Sequence, residues 1–187
     1  MKLTVKKLEN LNACKDAIEE FKNQKERNVF KVFDLLLKDK KYQWANWLIT
    51  QLLERQNRIR YAIHAAEQCL DKFEEKYPED KRPKLAIEAA KKVLEKDNKK
   101  NRDAAYAAAH AAVNAAYAAV NAAYAAAHAA VNAAYAASAA YAVNAAAYAA
   151  ASAAADVAVD YIKIIKYGIT LLKKQELAKL KGRKNEN

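Results

Sequence analysis

An eighteen-residue internal repeat occupies the centre of this chain. Residues 104–121 and 122–139 are identical over their first sixteen positions, which read AAYAAAHAAVNAAYAA. Eighteen residues make about five turns of an α-helix, so each copy begins at the same angle around the helix axis. Alanine has the highest helix propensity of all residues. The repeat therefore predicts a long helix that returns the same side chains to the same face.

The non-alanine side chains of the repeat share one side of that helix. With Tyr106 at 0° and a step of about 100° per residue, Tyr117 falls at about 20°, His110 at about 40° and Asn114 at about 80°. We call the resulting line of Tyr, His and Asn side chains the tyrosine stripe and predict that it is the ligand- or partner-binding surface. Its members are Tyr106, His110, Asn114, Tyr117, Asn121, Tyr124, His128, Asn132 and Tyr135.

Two interpretations of the tyrosine stripe are open from the residues alone. As a structural seam, its Tyr and Val side chains pack against the N-terminal helices, while Asn and His hydrogen-bond across the interface. As a binding surface, its Tyr rings stack on a base or a partner side chain, and the Asn amides read an edge. The path of the tract is also open, because the register slips between Tyr135 and Tyr141. Either a bent continuous helix or a helical hairpin accommodates that slip.

The rest of the composition predicts an all-α fold. The 187 residues include only two Gly and two Pro, and no stretch alternates apolar and polar residues as a half-buried strand does. Lys2 to Lys6 is at most a short extended piece. We predict an N-terminal helical domain over residues 1–100, an Ala-rich repeat helix or hairpin over 101–175, and a basic tail over 176–187 that is frayed from Lys179 onward.

Apolar spacing predicts the helices of the N-terminal domain. Asn12 is expected to cap the first of them, and Trp44 and Trp47 to anchor the core with their large rings. The connector before the repeat offers Asn101 or Asp103 as the cap of the repeat helix. The further predicted helices run from Val29 to Leu37, from Arg55 to Tyr77, and from Lys84 to Glu95 behind Pro83.

No catalytic or metal-binding motif is visible. His110 and His128 lie about 27 Å apart along one helix, which is too far for them to share an ion. Cys14 and Cys69 stand outside any CxxC or Cys/His cluster, so we expect two buried thiols in a reducing cytoplasm. The start of the chain lacks a signal-peptide core. We predict a cytoplasmic protein with no enzymatic activity, no metal and no cofactor.

Charge is unevenly distributed along the chain. The formal net charge is +11, yet residues 104 to 155 contain no Lys, Arg, Asp or Glu. A basic shell that flanks a neutral aromatic centre suits a phosphate-bearing ligand or an acidic protein surface. It equally suits a Lys-rich protein that is simply kept in solution by its charge.

Four segments carry a resemblance to a known family. They are NACKDAIEEF at 12–21, WANWL at 44–48, RYAIHAAEQCL at 60–70 and KYPEDKRPKLAIEAA at 76–90. Together with the Ala-rich tract that follows, they resemble the Imm-5-like immunity proteins of bacteria and phages. The resemblance implies neutralisation of a toxin or immune effector, with no catalytic residues to carry over. Family members often have Arg, Trp or Asp where this tract has Tyr, His and Asn, which implies a different ligand or partner.

The sequence thus predicts an immunity-type or phage anti-defence protein that neutralises by binding. Its partner is either a toxin or immune effector protein or a nucleotide-like signalling molecule held as in a sponge, and we expect a homo-oligomer without membrane or nucleic-acid partners. The alternative is a structural protein whose Ala-faced helices assemble without a soluble ligand.

Overall fold

The computed structural model describes residues 1–118 and 161–184, and over these residues the fold is all-α, as predicted. Eight helices are present in the described residues, and the β-type pairing there is a single bridge between Lys2 and Asn28. The helices are α1 (Val5–Asn10), α2 (Lys15–Asn23), α3 (Val29–Lys38), α4 (Tyr42–Leu52), α5 (Arg55–Lys76), α6 (Arg82–Glu95), α7 (Lys99–Ala118) and α8 (Tyr161–Lys184).

The first residues of the chain are extended and pair with the segment before α3. The Leu3 amide donates to the Arg27 carbonyl at 2.8 Å, and the Val29 amide donates to the Met1 carbonyl at 3.2 Å. Leu3 is buried as a result. The Thr4 side chain then accepts from the Lys7 amide and caps α1. The short extended piece expected near Lys2 is therefore present, and α1 begins within it at Val5.

The predicted cap at Asn12 is wrong. Asn12 has a left-handed backbone, with φ of 58°, and lies in the turn between α1 and α2. The residue that precedes α2 is Cys14, whose side chain makes no capping hydrogen bond. Cys14 is also exposed, so the expectation of a buried thiol is wrong for this cysteine. Spacing alone missed the turn because Leu11 and Cys14 continue the three-residue apolar spacing across it.

The predicted helices behind this turn are confirmed within a residue or two. The Asn28 side chain caps α3 by accepting from the amides of Phe30 and Lys31. Pro83 occupies the first turn of α6, where its missing N–H costs nothing. The helix that enters the repeat begins earlier than expected, at Lys99. Its cap is the Asn98 side chain, which accepts from the Asn101 amide at 2.8 Å, and not Asn101 or Asp103.

The last helix, α8, completes the bundle formed by the N-terminal residues. It packs against α4, α5 and α3 and buries its apolar side chains Ile164, Ile165 and Leu172 there. The N-terminal ammonium of Met1 forms an ion pair with Glu176. Residues 161–176 thus belong to the same core as residues 1–95, and α8 remains helical through the segment from Lys179 to Lys184 that we expected to be frayed.

One polar side chain of α8 satisfies the backbone where α4 turns into α5. The Gln175 Oε1 atom accepts from the Glu54 amide at 2.8 Å and from the Asn57 Nδ2 atom at 3.2 Å. Its Nε2 atom donates to the Leu52 carbonyl at 3.0 Å. Gln175 is 6% exposed, so these three hydrogen bonds are what allow a buried amide at this position.

A close approach between helices occurs at Gly168 of α8. A Cβ atom at this position would lie 2.7 Å from Ile49 Cγ2 and 2.7 Å from Tyr61 Cε2. Both side chains are fully buried, so neither has free space to move into. The absence of a side chain at Gly168 therefore sets how near α8 comes to α4 and α5.

We predict opposite effects for alanine at the two glycines of α8. Gly168→Ala should lower the free energy of unfolding by about 1–3 kcal/mol, because the added methyl group overpacks a filled core. Gly182→Ala meets no atom within 4 Å and should leave stability unchanged or raise it by up to about 1 kcal/mol through helix propensity. Urea titration followed by circular dichroism measures both, and equal effects of the two substitutions would contradict the close packing at Gly168.

Candidate functional site

The described part of the tyrosine stripe lies on α7. Tyr106 is 46% exposed, and His110, Asn114 and Tyr117 follow on the same helix. The other predicted site residues, which are Asn121, Tyr124, His128, Asn132 and Tyr135, lie outside the described residues.

The first turns of α7 have one buried face and one exposed face. Ala105 is fully buried and Ala108 is partly buried where α7 packs along α6. Tyr106 is exposed, as are Ala104 and Ala107 on either side of these positions. Because alanine is small, the two helices can approach closely without interdigitating large side chains. Over this stretch, α7 uses alanine for packing and directs its tyrosine away from α6.

The exposed face of α7 begins with cations. Lys99 and Lys100 are both exposed, and Lys99 forms an ion pair with Asp103 at 2.6 Å, one helical turn further on. Arg102 is half-buried and reaches Asp97 at 3.4 Å. On the helical wheel Lys99 falls at about 20°, which is the angle of Tyr117. The stripe is therefore continuous with a basic first turn.

A second candidate site is an apolar cavity of about 770 Å³ enclosed by α1 to α4, which we call the tryptophan cavity. Its volume is in the range of sites that hold a small molecule or a few side chains of a partner. Carboxylates are the only charged groups among its described lining residues. The lining consists of Leu3, Leu8, Asn12, Ala13, Cys14, Ala17, Glu20, Phe21, Gln24, Val32, Leu35, Leu36, Asp39, Gln43, Trp44, Trp47 and Leu48.

Two turns of the same kind form the rim of the tryptophan cavity. After α1, the Asn12 amide donates to the Glu9 carbonyl at 2.9 Å and the Ala13 amide to the Leu8 carbonyl at 3.0 Å. After α3, the amides of Lys40 and Lys41 donate to the carbonyls of Leu37 and Leu36 in the same pattern, at 3.2 Å and 2.8 Å. This is the Schellman motif, which satisfies the last carbonyls of a helix and reverses the chain. Asn12 and Lys40 occupy its left-handed position, with φ of 58° and 56°.

The prediction that the two tryptophans anchor the core holds only for Trp47, which packs against the hydrophobic core while partly buried. Trp44 and Trp47 are only partly buried, and both line the tryptophan cavity. The adjacent core positions of α4 are filled by Ala45, Leu48 and Ile49 instead. The spacing of α4 correctly placed the tryptophans on one face, but that face borders the cavity because α1 and α2 stand apart from it.

One cation reaches across the edge of the tryptophan cavity. The Lys41 ammonium lies 5.0 Å from the centroid of the Trp44 ring and forms an ion pair with the Glu20 carboxylate. A cation over an indole face is attracted by the ring's quadrupole. Trp44 and Glu20 are thus already arranged around a positive charge in this structure.

Tyr61 and His64 are two polar side chains that contact other residues inside the bundle. The Tyr61 hydroxyl donates to Asn46 Oδ1 at 2.5 Å, and full burial raises the pKa of this phenol well above its usual value. The His64 ring of α5 stacks on the Tyr167 ring of α8 with centroids 4.1 Å apart. Burial chiefly lowers the pKa of His64, with Lys163 acting in the same direction and Glu67 opposing. A neutral imidazole therefore contributes to packing between α5 and α8.

The described residues contain neither a metal-binding cluster nor a membrane-spanning helix. No group of three or more His, Cys, Asp or Glu side chains in residues 1–118 and 161–184 is placed to hold a metal ion. Over the same residues, no helix combines the length and the hydropathy needed to cross a membrane.

Comparison with known proteins adds no relative. No protein-family model matches the chain, and neither a curated protein nor a solved structure matches it. The likeness to Imm-5-like immunity proteins therefore rests on the four sequence segments given above. The tryptophan cavity had one signal in the sequence, namely two Trp residues three positions apart, but that spacing is also typical of a core helix.

Relief of backbone strain at the cavity rim gives a direct test of the turn geometry. We expect Lys40→Gly to raise the free energy of unfolding by about 1 kcal/mol, because a left-handed backbone is costly for any residue with a Cβ atom. The matched control is Lys166→Gly in α8, an exposed helical lysine, where we expect a loss of about 1 kcal/mol. Thermal and urea unfolding measure both changes, and destabilisation by Lys40→Gly would contradict the turn.

Proposed function

We propose that this chain is a non-enzymatic protein that neutralises a toxin or immune effector by binding, with the tyrosine stripe as the binding surface. The observation that carries the proposal is that alanine and tyrosine lie on different faces of α7. Ala105 is buried against α6, whereas Tyr106, the first residue of the stripe, is exposed. A seam would require the tyrosine to face the bundle, but alanine makes that contact in the described turns.

The repeat extends this argument along α7. The described exposed residues Tyr106, Ala107 and Ala104 fall at about 0°, 100° and 160° on the helical wheel, and the buried Ala108 and Ala105 at about 200° and 260°. The sequence places His110, Asn114 and Tyr117 between about 20° and 80°. These angles belong to the exposed side of the helix, which supports the binding interpretation over the seam.

The charges next to the stripe support a nucleotide-like signalling molecule as the bound species. Lys99 and Lys100 are exposed in the first turn of α7, where the positive end of the helix dipole also lies. Tyrosine rings stack on bases of any sequence, and amides such as those of Asn pair with base edges. Phosphate groups near the basic turn and bases along the stripe would use both features of the same helix.

Two other functions can be compared with this proposal. A toxin or effector protein with an acidic surface would use the same cations at its rim and the same tyrosines as anchors. A structural protein that assembles through Ala-faced helices is less well supported, because α6 already covers the alanine face of α7 in the described turns.

The first test of the proposal is direct binding of nucleotides. The purified chain is titrated calorimetrically with cyclic dinucleotides and cyclic trinucleotides, and the species released by heating the freshly purified protein are identified by mass spectrometry. We expect Tyr106→Ala combined with Tyr124→Ala to weaken binding by about 10- to 100-fold, since stacking contributes about 1–3 kcal/mol per base. The melting temperature should not change, because Tyr106 is exposed.

The matched control is Tyr141→Ala, since Tyr141 is offset by about 100° from the stripe. This variant should bind as the unmodified chain does. In cells that carry a nucleotide-signalled defence, expression of the chain should restore plaque formation by a restricted phage, and the double variant should not. If the protein retains no nucleotide and its expression restores no plaques, the nucleotide version of the proposal is wrong. Restoration that is unaffected by the double variant would remove the stripe as the binding surface.

A further inference from the structure

The C-terminal end of α8 is exposed, and within it Lys179 forms an ion pair with Glu54 of the bundle at 2.8 Å. Every residue from Leu177 to Gly182 is exposed. Leu177 is 58% exposed and Leu180 is 51% exposed, and a spacing of three residues places them on one side of the helix. A bundle helix normally hides one face along its length. This end hides none, and it presents two adjacent leucines to solvent.

The same helix end is strongly basic. From Lys173 to Lys184 the sequence KKQELAKLKGRK contains six cationic residues and one acidic residue, and that acidic residue, Glu176, is paired with the N-terminal ammonium. Lys174 and Lys181 are exposed beside the leucines. The α8 end therefore combines a small apolar face with positive charge along one edge of it.

The tryptophan cavity has the complementary character. Leucine, tryptophan and phenylalanine dominate its lining, and its two charged lining residues, Glu20 and Asp39, are both carboxylates. This is notable in a chain whose formal net charge is +11. The Lys41 ammonium, which rests on the Trp44 ring and pairs with Glu20, demonstrates that a lysine is accommodated at this rim. A groove of this kind suits an amphipathic helix that has apolar anchors and basic flanks.

We propose that the tryptophan cavity receives the C-terminal end of α8 from a second copy of this chain. Leu177 and Leu180 enter the apolar interior beside Trp44 and Trp47, while the neighbouring lysines meet Asp39 and compete with Lys41 for Glu20. The interaction joins two different surfaces of the same chain, so each copy offers one donor and one acceptor. Repulsion between two basic chains extends only over about 8 Å at physiological salt, so the local match of charges decides the contact.

This self-association is independent of the tyrosine stripe. It uses α1 to α4 and the end of α8, whereas the proposed binding function uses α7. Failure of one proposal therefore leaves the other standing. Association would bring the binding surfaces of two copies close together, which raises their effective concentration for a shared partner.

The chain contains its own reporter for the test. Both tryptophans of the sequence line the cavity, so intrinsic tryptophan emission responds to occupation of this site alone. We expect the emission maximum to move to shorter wavelength as protein concentration rises, because the incoming leucines displace water from the rings. Light scattering after size-exclusion chromatography should show mass increasing over the same concentration range. The peptide KKQELAKLKGRK, added to the full-length chain at a concentration where the chain is monomeric, should produce the same emission change.

Four exposed leucines supply matched variants. Leu35→Glu places a charge in the cavity wall, and Leu177→Glu with Leu180→Glu places charges on the donor helix. All three positions are at least 38% exposed, so folding should persist. Each variant should weaken association by at least about tenfold, as expected for loss of interface anchors. Leu85→Glu, at a 54% exposed leucine of α6 that does not line the cavity, should associate as the unmodified chain does.

Mixing the two defective proteins distinguishes this contact from any symmetric one. The Leu35→Glu chain keeps an intact donor helix, and the Leu177→Glu, Leu180→Glu chain keeps an intact cavity, so the mixture should regain association and stop at a one-to-one heterodimer. A chain that stays monomeric at every concentration would overturn the proposal. Association that Leu35→Glu leaves unchanged, or that Leu85→Glu weakens equally, would overturn it as well.

Discussion

The packing of α8 against α4 and α5 at Gly168 is the contact on which the rest of the described fold depends. Without a Cβ atom at this position, Ile49 and Tyr61 contact the backbone of α8 directly. Close packing there brings Ile164, Ile165 and Leu172 into the core and places Gln175 within hydrogen-bonding distance of the turn between α4 and α5. The two described parts of the chain thus form one bundle, and the first turns of α7 rest on α6.

This arrangement separates stability from recognition. Leucine, isoleucine and valine in the bundle supply most of the apolar burial, because each removes far more surface from water than an alanine does. The first turns of α7 need only a smooth alanine face to lie on α6, which leaves Tyr106 exposed on another face of the helix. A hydrophobic core does not need the same polar residues every five turns. A surface that binds repeated or planar groups would use such a repeat.

Helical periodicity predicted the fold class and the positions of most helices, because apolar spacing and Pro83 report directly on local structure. It failed at Asn12, where a left-handed residue closes a turn that hydrophobic spacing cannot reveal. It also failed for Trp44, since a large apolar residue on a helix face looks the same whether that face meets a core or a cavity. The joining of α8 to the N-terminal bundle depends on the contact at Gly168, which is a long-range property. Of the predicted site, the structure describes one side chain, that of Tyr106, and places it in solvent.

We propose that the tyrosine stripe faces solvent in the unliganded protein. Residue-resolved chemical labelling of tyrosine, read by mass spectrometry, tests this most directly, with the fully buried Tyr61 as the internal standard for protection. The account predicts that Tyr106, Tyr117, Tyr124 and Tyr135 are labelled at similar, rapid rates while Tyr61 is protected. Protection of Tyr117, Tyr124 and Tyr135 to the level of Tyr61 would instead identify the stripe as an internal seam and contradict the account.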